Sequence, residues 1–159
     1  MSLPRTPSQT VGPYYAIGLC RRPDDELAPP SEPGSVRLQG RLLDGEGAGI
    51  DGMIEVWDGR DWGRSGTDSE GAFRFSVAKP EAAPGEAPRL DVIVFARGLL
   101  KHQFTRVYFP DEAEANAADP VLSSVPEEAR ATLVAEPEDG ALRFDIRMQG
   151  ERATVFFAV

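Results

Sequence analysis

The chain has 159 residues, 41% of them hydrophobic and 27% charged, which is long enough for one globular domain with a sizeable core. A formal net charge of −9 sets it against nucleic acid and acidic membrane surfaces, so an anionic ligand would need a local arginine to override the global field. No 18-residue apolar stretch and no hydrophobic leader occur, which predicts neither a membrane span nor a signal peptide and points to the cytoplasm; the single cysteine, Cys20, has no disulfide partner and agrees with a reducing compartment.

The run Thr6-Pro7-Ser8-Gln9-Thr10-Val11-Gly12-Pro13-Tyr14-Tyr15 follows no helical or strand period. Its prolines fix φ and remove donors, Gly12 permits close backbone approach, and the paired tyrosines offer contact area, so residues 1–18 are predicted to be an extended N-terminal arm and residues 19–159 a single domain. Within that domain Val36, Leu38 and Leu42, then Ile54 and Val56, alternate as strands do. Gly47-Ala48-Gly49-Ile50-Asp51-Gly52 between them is formally G-x-G-x-x-G, yet the residues after it alternate like a strand and start no helix. A hairpin turn is therefore expected there, not a dinucleotide site.

Asp58 to Ser69 reads as a tight turn; Phe73, Phe75 and Val77 form the next strand, residues 78–89 a proline-rich loop, and Leu90, Val92 and Val94 another strand, with Tyr108 in a further one. Helix is expected over Asp111–Ala118 and in a turn after Ser124, where Ser124-x-x-Glu127 with Pro126 has the form of a capping box. Leu142, Phe144 and Ile146 close the pattern. Short strands punctuated by Asp-Gly turns predict an all-β antiparallel sandwich with short helical connections.

Local chemistry is sparse. His102 is the only histidine, so no multi-histidine metal site can be built here, and neither a signature around Cys20 nor a G-x-S-x-G elbow supports a nucleophile paired with it. The carboxylates fall mostly in turns and at helix starts, and Trp57 and Trp62 read as core or rim anchors.

The arm residues, taken with Phe95-Ala96-Arg97-Gly98, Thr105-Arg106-Val107-Tyr108-Phe109 and the tail Arg143 to Glu151, closely resemble the alpha subunits of protocatechuate 3,4-dioxygenases, within the intradiol ring-cleaving family. The resemblance is densest over residues 6–18 and 87–159, with Leu42-Leu43-Asp44-Gly45 and Glu55-Val56-Trp57 as weaker matches. It implies an intradiol-type sandwich and a hetero-oligomer of alpha–beta pairs, with the arm contributing to the subunit interface and pocket. It also implies Fe(III) bound by the partner beta subunit through two tyrosines and two histidines. Arg89 and Asp91 stand where the family's His-x-His pair would be, and residues 58–67 and 78–88 contain no tyrosine, so no metal ligand or catalytic residue is assigned to this chain.

What the resemblance assigns here is substrate binding: Thr10, Gly12 and Pro13 lining the pocket entrance, and Arg97 pairing with the carboxylate of protocatechuate, 3,4-dihydroxybenzoate, which O2 cleaves to 3-carboxy-cis,cis-muconate. The rival reading is a non-enzymatic sandwich module that kept the fold without activity.

Overall fold

The computed structural model describes residues 3–20 and 24–158; Met1, Ser2, Arg21 to Pro23 and Val159, which fall within the expected arm and domain, lie outside the described residues. Period-two burial builds two sheets. β1 (Ser35–Leu43) buries Leu38, Leu42 and Leu43, β4 (Ala72–Ala78) buries Phe73, Phe75 and Val77, and β5 (Arg89–Ala96) buries Leu90, Val92, Val94 and Ala96. β2 (Gly52–Trp57), β3 (Trp62–Gly66), β5 and β6 (Gln103–Tyr108) form one antiparallel sheet in the order β3-β2-β5-β6. The other runs β4-β1-β8-β7, with β7 (Glu136–Glu138), β8 (Ala141–Arg143) and β9 (Ile146–Arg147); β8 and β9 join β1 in parallel. The inward faces meet in one core containing Leu38, Ile54, Phe75, Val92, Phe144 and Ile146, each large side chain contributing about 1.5–3 kcal/mol by leaving water. Gly40 is required where β1 meets the chain between β8 and β9, since a Cβ there would lie 1.9 Å from the carbonyl oxygen of Phe144.

Four local expectations need correction. The glycine motif does not close a hairpin: β1 and β2 lie in different sheets, so residues 44–51 carry the chain from one layer to the other. Asp44 holds that corner by accepting the N–H groups of Glu46 at 2.9 Å and Ala48 at 2.8 Å. Residues 58–69 are more than a turn, because β3 lies inside them. Its sequence, Trp-Gly-Arg-Ser-Gly, lacks alternating apolar residues, and pairing with β2 together with the Arg64 N–H bond to the Asp24 carbonyl at 2.7 Å supplies what periodicity does not.

The arm is not extended to its end, since Tyr15–Gly18 make one helical turn, α1. The capping box at Ser124 does not form: Ser124 ends α3 (Pro120–Ser124) and its hydroxyl donates to the Val121 carbonyl at 2.6 Å. Pro126 precedes α4 (Glu127–Arg130) with no side-chain cap.

The operative cap is Asp119, between α2 (Ala113–Ala118) and α3. Fully buried, it accepts from the backbone of Val121 at 3.0 Å, Leu122 at 2.8 Å and Ala87 at 2.9 Å, and from the Tyr108 hydroxyl at 3.0 Å. It thereby ties the short helices to the start of β5 and the end of β6, around a second cluster of Ala87, Tyr108, Leu122, Val125 and Leu133. Among the described residues no helix is long and apolar enough to cross a membrane.

Burial alone would push the Asp119 carboxyl up, but its donors outweigh that and hold it below the ordinary carboxylate range. A lowered folded pKa means stability present above the unfolded value and lost as pH falls through the folded one. Asp119→Ala should therefore lower unfolding free energy by about 3 kcal/mol near neutral pH, and the acid-side decline of stability should be shallower in the variant than in the parent, both measured by denaturant titration across pH. Parallel profiles would remove Asp119 as the responsible group.

Candidate substrate-facing site

The site begins with the β5–β6 connection. These strands pair from Arg89 opposite Tyr108 to Val94 opposite Gln103. Continuing the register sets Phe95 across from His102, whose rings lie 5.7 Å apart and tilted by 46°. Beyond them the chain turns through Arg97 and Gly98, closed by the Leu99 N–H bond to the Ala96 carbonyl at 3.1 Å, with Gly98 at φ +92°, where a side chain would be strained. Arg97 is held by its backbone: its N–H donates to the Asp51 carbonyl at 3.0 Å, while the side chain is exposed and, among the described residues, in no ion pair.

Asp51 also anchors the arm. The Tyr15 hydroxyl donates to its carboxylate, and Tyr15 is buried although Leu3 to Thr10 are exposed. Burial foremost, then this hydrogen bond and the charge of Asp51, push the Tyr15 phenol well above the ordinary tyrosine range. One residue thus joins the root of the arm to the backbone of Arg97. Sequence reading treated Asp51 only as a turn residue; with its partner 36 positions away, no local pattern marks the pair.

Of the residues expected at the pocket, Thr10, Pro13 and Arg97 are exposed and Gly12 is half-buried with φ +70° and open space where a Cβ would stand. The structure does not bring these four into one cavity. The hollow of about 710 Å³ beside them is lined from the arm by Ser8, Gln9 and Val11 and from the domain chiefly by Phe95, Lys101, His102 and Phe157. A second hollow, about 870 Å³, carries Arg41, Arg64, Arg74 and Arg143, all of them neutralised by acidic neighbours.

The outer face of β5 tests the implied metal. Arg89 pairs with Glu86 and lies 3.4 Å from Asp91, and Arg106 from β6 lies 3.3 Å from the same Asp91 oxygen. Two guanidinium groups flanking one carboxylate repel a cation, and the nearby Tyr108 phenol is engaged in donating to Asp119. These donors do not fit a ferric ion, and no group of three potential metal ligands occurs among the described residues.

The chain is 43% identical to the protocatechuate 3,4-dioxygenase alpha chain of Burkholderia cepacia, covering 99% of both chains, and 39% identical to that of Pseudomonas putida, covering 98% of this chain and 96% of that one. It is 33% identical to the protocatechuate 3,4-dioxygenase beta chain of Burkholderia cepacia over 58% of this chain and 45% of that one. No family model matches. Among solved structures, the dioxygenase domain of a dioxygenase–carbohydrate-binding fusion from Streptomyces sp. SirexAA-E aligns with a TM-score of 0.61 at 21% identity, covering 91% of this chain and 98% of that one. The hydroxyquinol 1,2-dioxygenase of Pseudomonas putida DLL-E4 aligns at 0.58 and 18% identity, covering 95% and 68%. At such identities the structural likeness concerns the fold alone.

Tyr15→Phe should cost about 1–2 kcal/mol and increase hydrogen exchange across residues 15–20 while leaving the sheets protected. Phenolate absorbance followed through alkaline pH should lose its highest-pH component in the variant. Unchanged exchange would mean that the arm is held by something other than Asp51.

Proposed function

This chain belongs to the protocatechuate 3,4-dioxygenase alpha chain family, and from that premise we propose that it is the non-iron subunit of a hetero-oligomeric intradiol dioxygenase, completing the substrate pocket of an iron-bearing beta chain. The reaction is cleavage of 3,4-dihydroxybenzoate between its two hydroxylated carbons, with both atoms of O2 retained in 3-carboxy-cis,cis-muconate and no external reductant consumed. The ferric iron, which we assign to the beta chain, would supply chelation of the catechol oxygens and activation of the ring. This chain binds and orients.

The observation that carries this reading is Arg97: a guanidinium in no ion pair among the described residues, fixed through its backbone to Asp51, beside the arm that the same residue anchors. Its planar fork can meet a benzoate carboxylate in two-pronged fashion and stays charged at any working pH. Thr10, Gly12 and Pro13, with the arm to residue 18, wall the pocket entrance once the partner is in place, and Tyr14, 77% exposed, offers contact area to the partner. Holding the ring in one orientation is catalysis by positioning. The free, half-buried thiol of Cys20 suits a reducing compartment, and we place the assembly in the cytoplasm.

In the assembled enzyme Arg97→Ala should raise KM for protocatechuate about 30-fold and leave KM for uncharged catechol within about twofold, as loss of a charge-assisted contact requires. Equal effects on both substrates would remove the clamp. Deleting residues 1–13 should reduce turnover while the sandwich keeps its unfolding midpoint, and unaltered kinetics would reduce the arm to a tether. Iron that co-purifies with this chain in the absence of a second sandwich subunit would overturn the assignment of the metal to the partner.

A further inference from the structure

Positive charge is distributed unevenly. The chain carries 26 acidic residues, yet none falls in residues 92–110, the stretch that closes β5, turns and forms β6. Its basic residues other than Arg106, which pairs with Asp91, sit on one six-residue turn: Arg97, Lys101 and His102. Among the described residues none of these three is in an ion pair; Arg5, Arg37, Arg60, Arg130, Arg147 and Arg152 are not either, but only here do three such groups share six consecutive residues that contain no acid. Asp51, whose carbonyl accepts from the Arg97 N–H, keeps its carboxylate charge while accepting from the Tyr15 hydroxyl, but it forms no ion pair with any of the three.

The three are exposed, and Lys101 and His102 face the arm residues Ser8 and Gln9 across the hollow of about 710 Å³, over apolar walls that include Phe95 and Phe157. In a molecule of net charge −9, a turn that carries Arg97 and Lys101 outside any ion pair, beside apolar surface, is where an aromatic carboxylate meets the more favourable local potential.

We propose that Lys101 is a steering residue for the substrate anion: its ammonium draws the aromatic carboxylate to the β5–β6 turn and delivers it to Arg97, acting on capture and not on the chemical step. The inference rests on the proposed function, since it presumes that Arg97 is where the carboxylate ends. Lys101 donates no group to the reaction. It offsets, over the last ångströms of approach, the repulsion that the acidic remainder of the surface exerts on an anionic substrate.

The test uses the complete alpha–beta enzyme, with kcat and kcat/KM measured for protocatechuate and for neutral catechol over a series of ionic strengths. A single exposed charge acting through water is worth about two- to threefold. Lys101→Gln should lower kcat/KM for protocatechuate by that factor at low salt, leave kcat unchanged and leave catechol unaffected, with the deficit vanishing as salt screens the field. Lys101→Glu should deepen it to about fivefold, and Lys101→Arg should restore it.

Identical salt slopes in parent and Lys101→Gln, a drop in kcat in place of kcat/KM, or an equal loss on catechol would each overturn the steering role while leaving the proposed function standing. An alpha–beta enzyme that fails to cleave protocatechuate at any ionic strength would overturn the proposed function, and this inference with it.

Discussion

β5 is hydrogen-bonded on both sides, to β2 and to β6, and sends Leu90, Val92, Val94 and Ala96 into the core while Arg89, Asp91, Ile93 and Phe95 point outward. Because side chains alternate with a period of two, a slip of one residue would drive Arg89 and Asp91 into the apolar centre and expose four buried side chains. Each buried unpaired charge would cost several kcal/mol, far more than a strand of this length could recover elsewhere. The register is therefore locked, and with it the position of everything attached to the strand. Arg89 and Asp91 are committed to an outer ion cluster, Phe95 to the arm-side hollow, and Arg97 to the turn just beyond the last core residue.

The charge pattern follows from the same constraint. On the outer face, Glu86, Arg89, Asp91 and Arg106 neutralise one another in a partly desolvated cluster where Coulomb attraction is stronger than in water. At the turn the chain has left the sheet, no carboxylate among the described residues forms an ion pair with Arg97 or Lys101, and both cations remain available. Compensation on the strand and its absence at the turn distinguish a structural charge cluster from a surface able to receive an anion. Acidity elsewhere sharpens the contrast, because an anion approaching from most directions meets repulsion.

The arm contributes little to the core and is anchored to the fold at its root. Leu3 to Thr10 are exposed, Tyr15 is buried, and its hydroxyl meets Asp51 at the corner where the chain passes from one sheet to the other. Tyr14 and Ile17, both more than half exposed, lie beside that root and offer surface to a partner.

Four strands, β1, β2, β4 and β5, were legible in the sequence because their apolar residues alternate, and alternation is a local property of the chain; the fifth run, Leu142 to Ile146, is split into β8 and β9. Also legible were the proline-rich loop, which runs over residues 79–88 between β4 and β5, and the blocks around the arm and Arg97 that carry the family resemblance. The sequence could not reveal β3, whose Trp-Gly-Arg-Ser-Gly has no period and forms a strand because β2 and Asp24 satisfy its backbone. Nor could it single out Asp119 from Ser124 as the helix cap, since that choice depends on Ala87 and Tyr108 arriving from other elements. Tertiary structure alone joined Tyr15 to Asp51 and left Arg97, Lys101 and His102 without ion-pair partners among the described residues. The physical reason is common to all of these: periodicity is written along the chain, whereas hydrogen-bond partners and compensating charges are selected by which distant segments the packed sheets bring within a few ångströms.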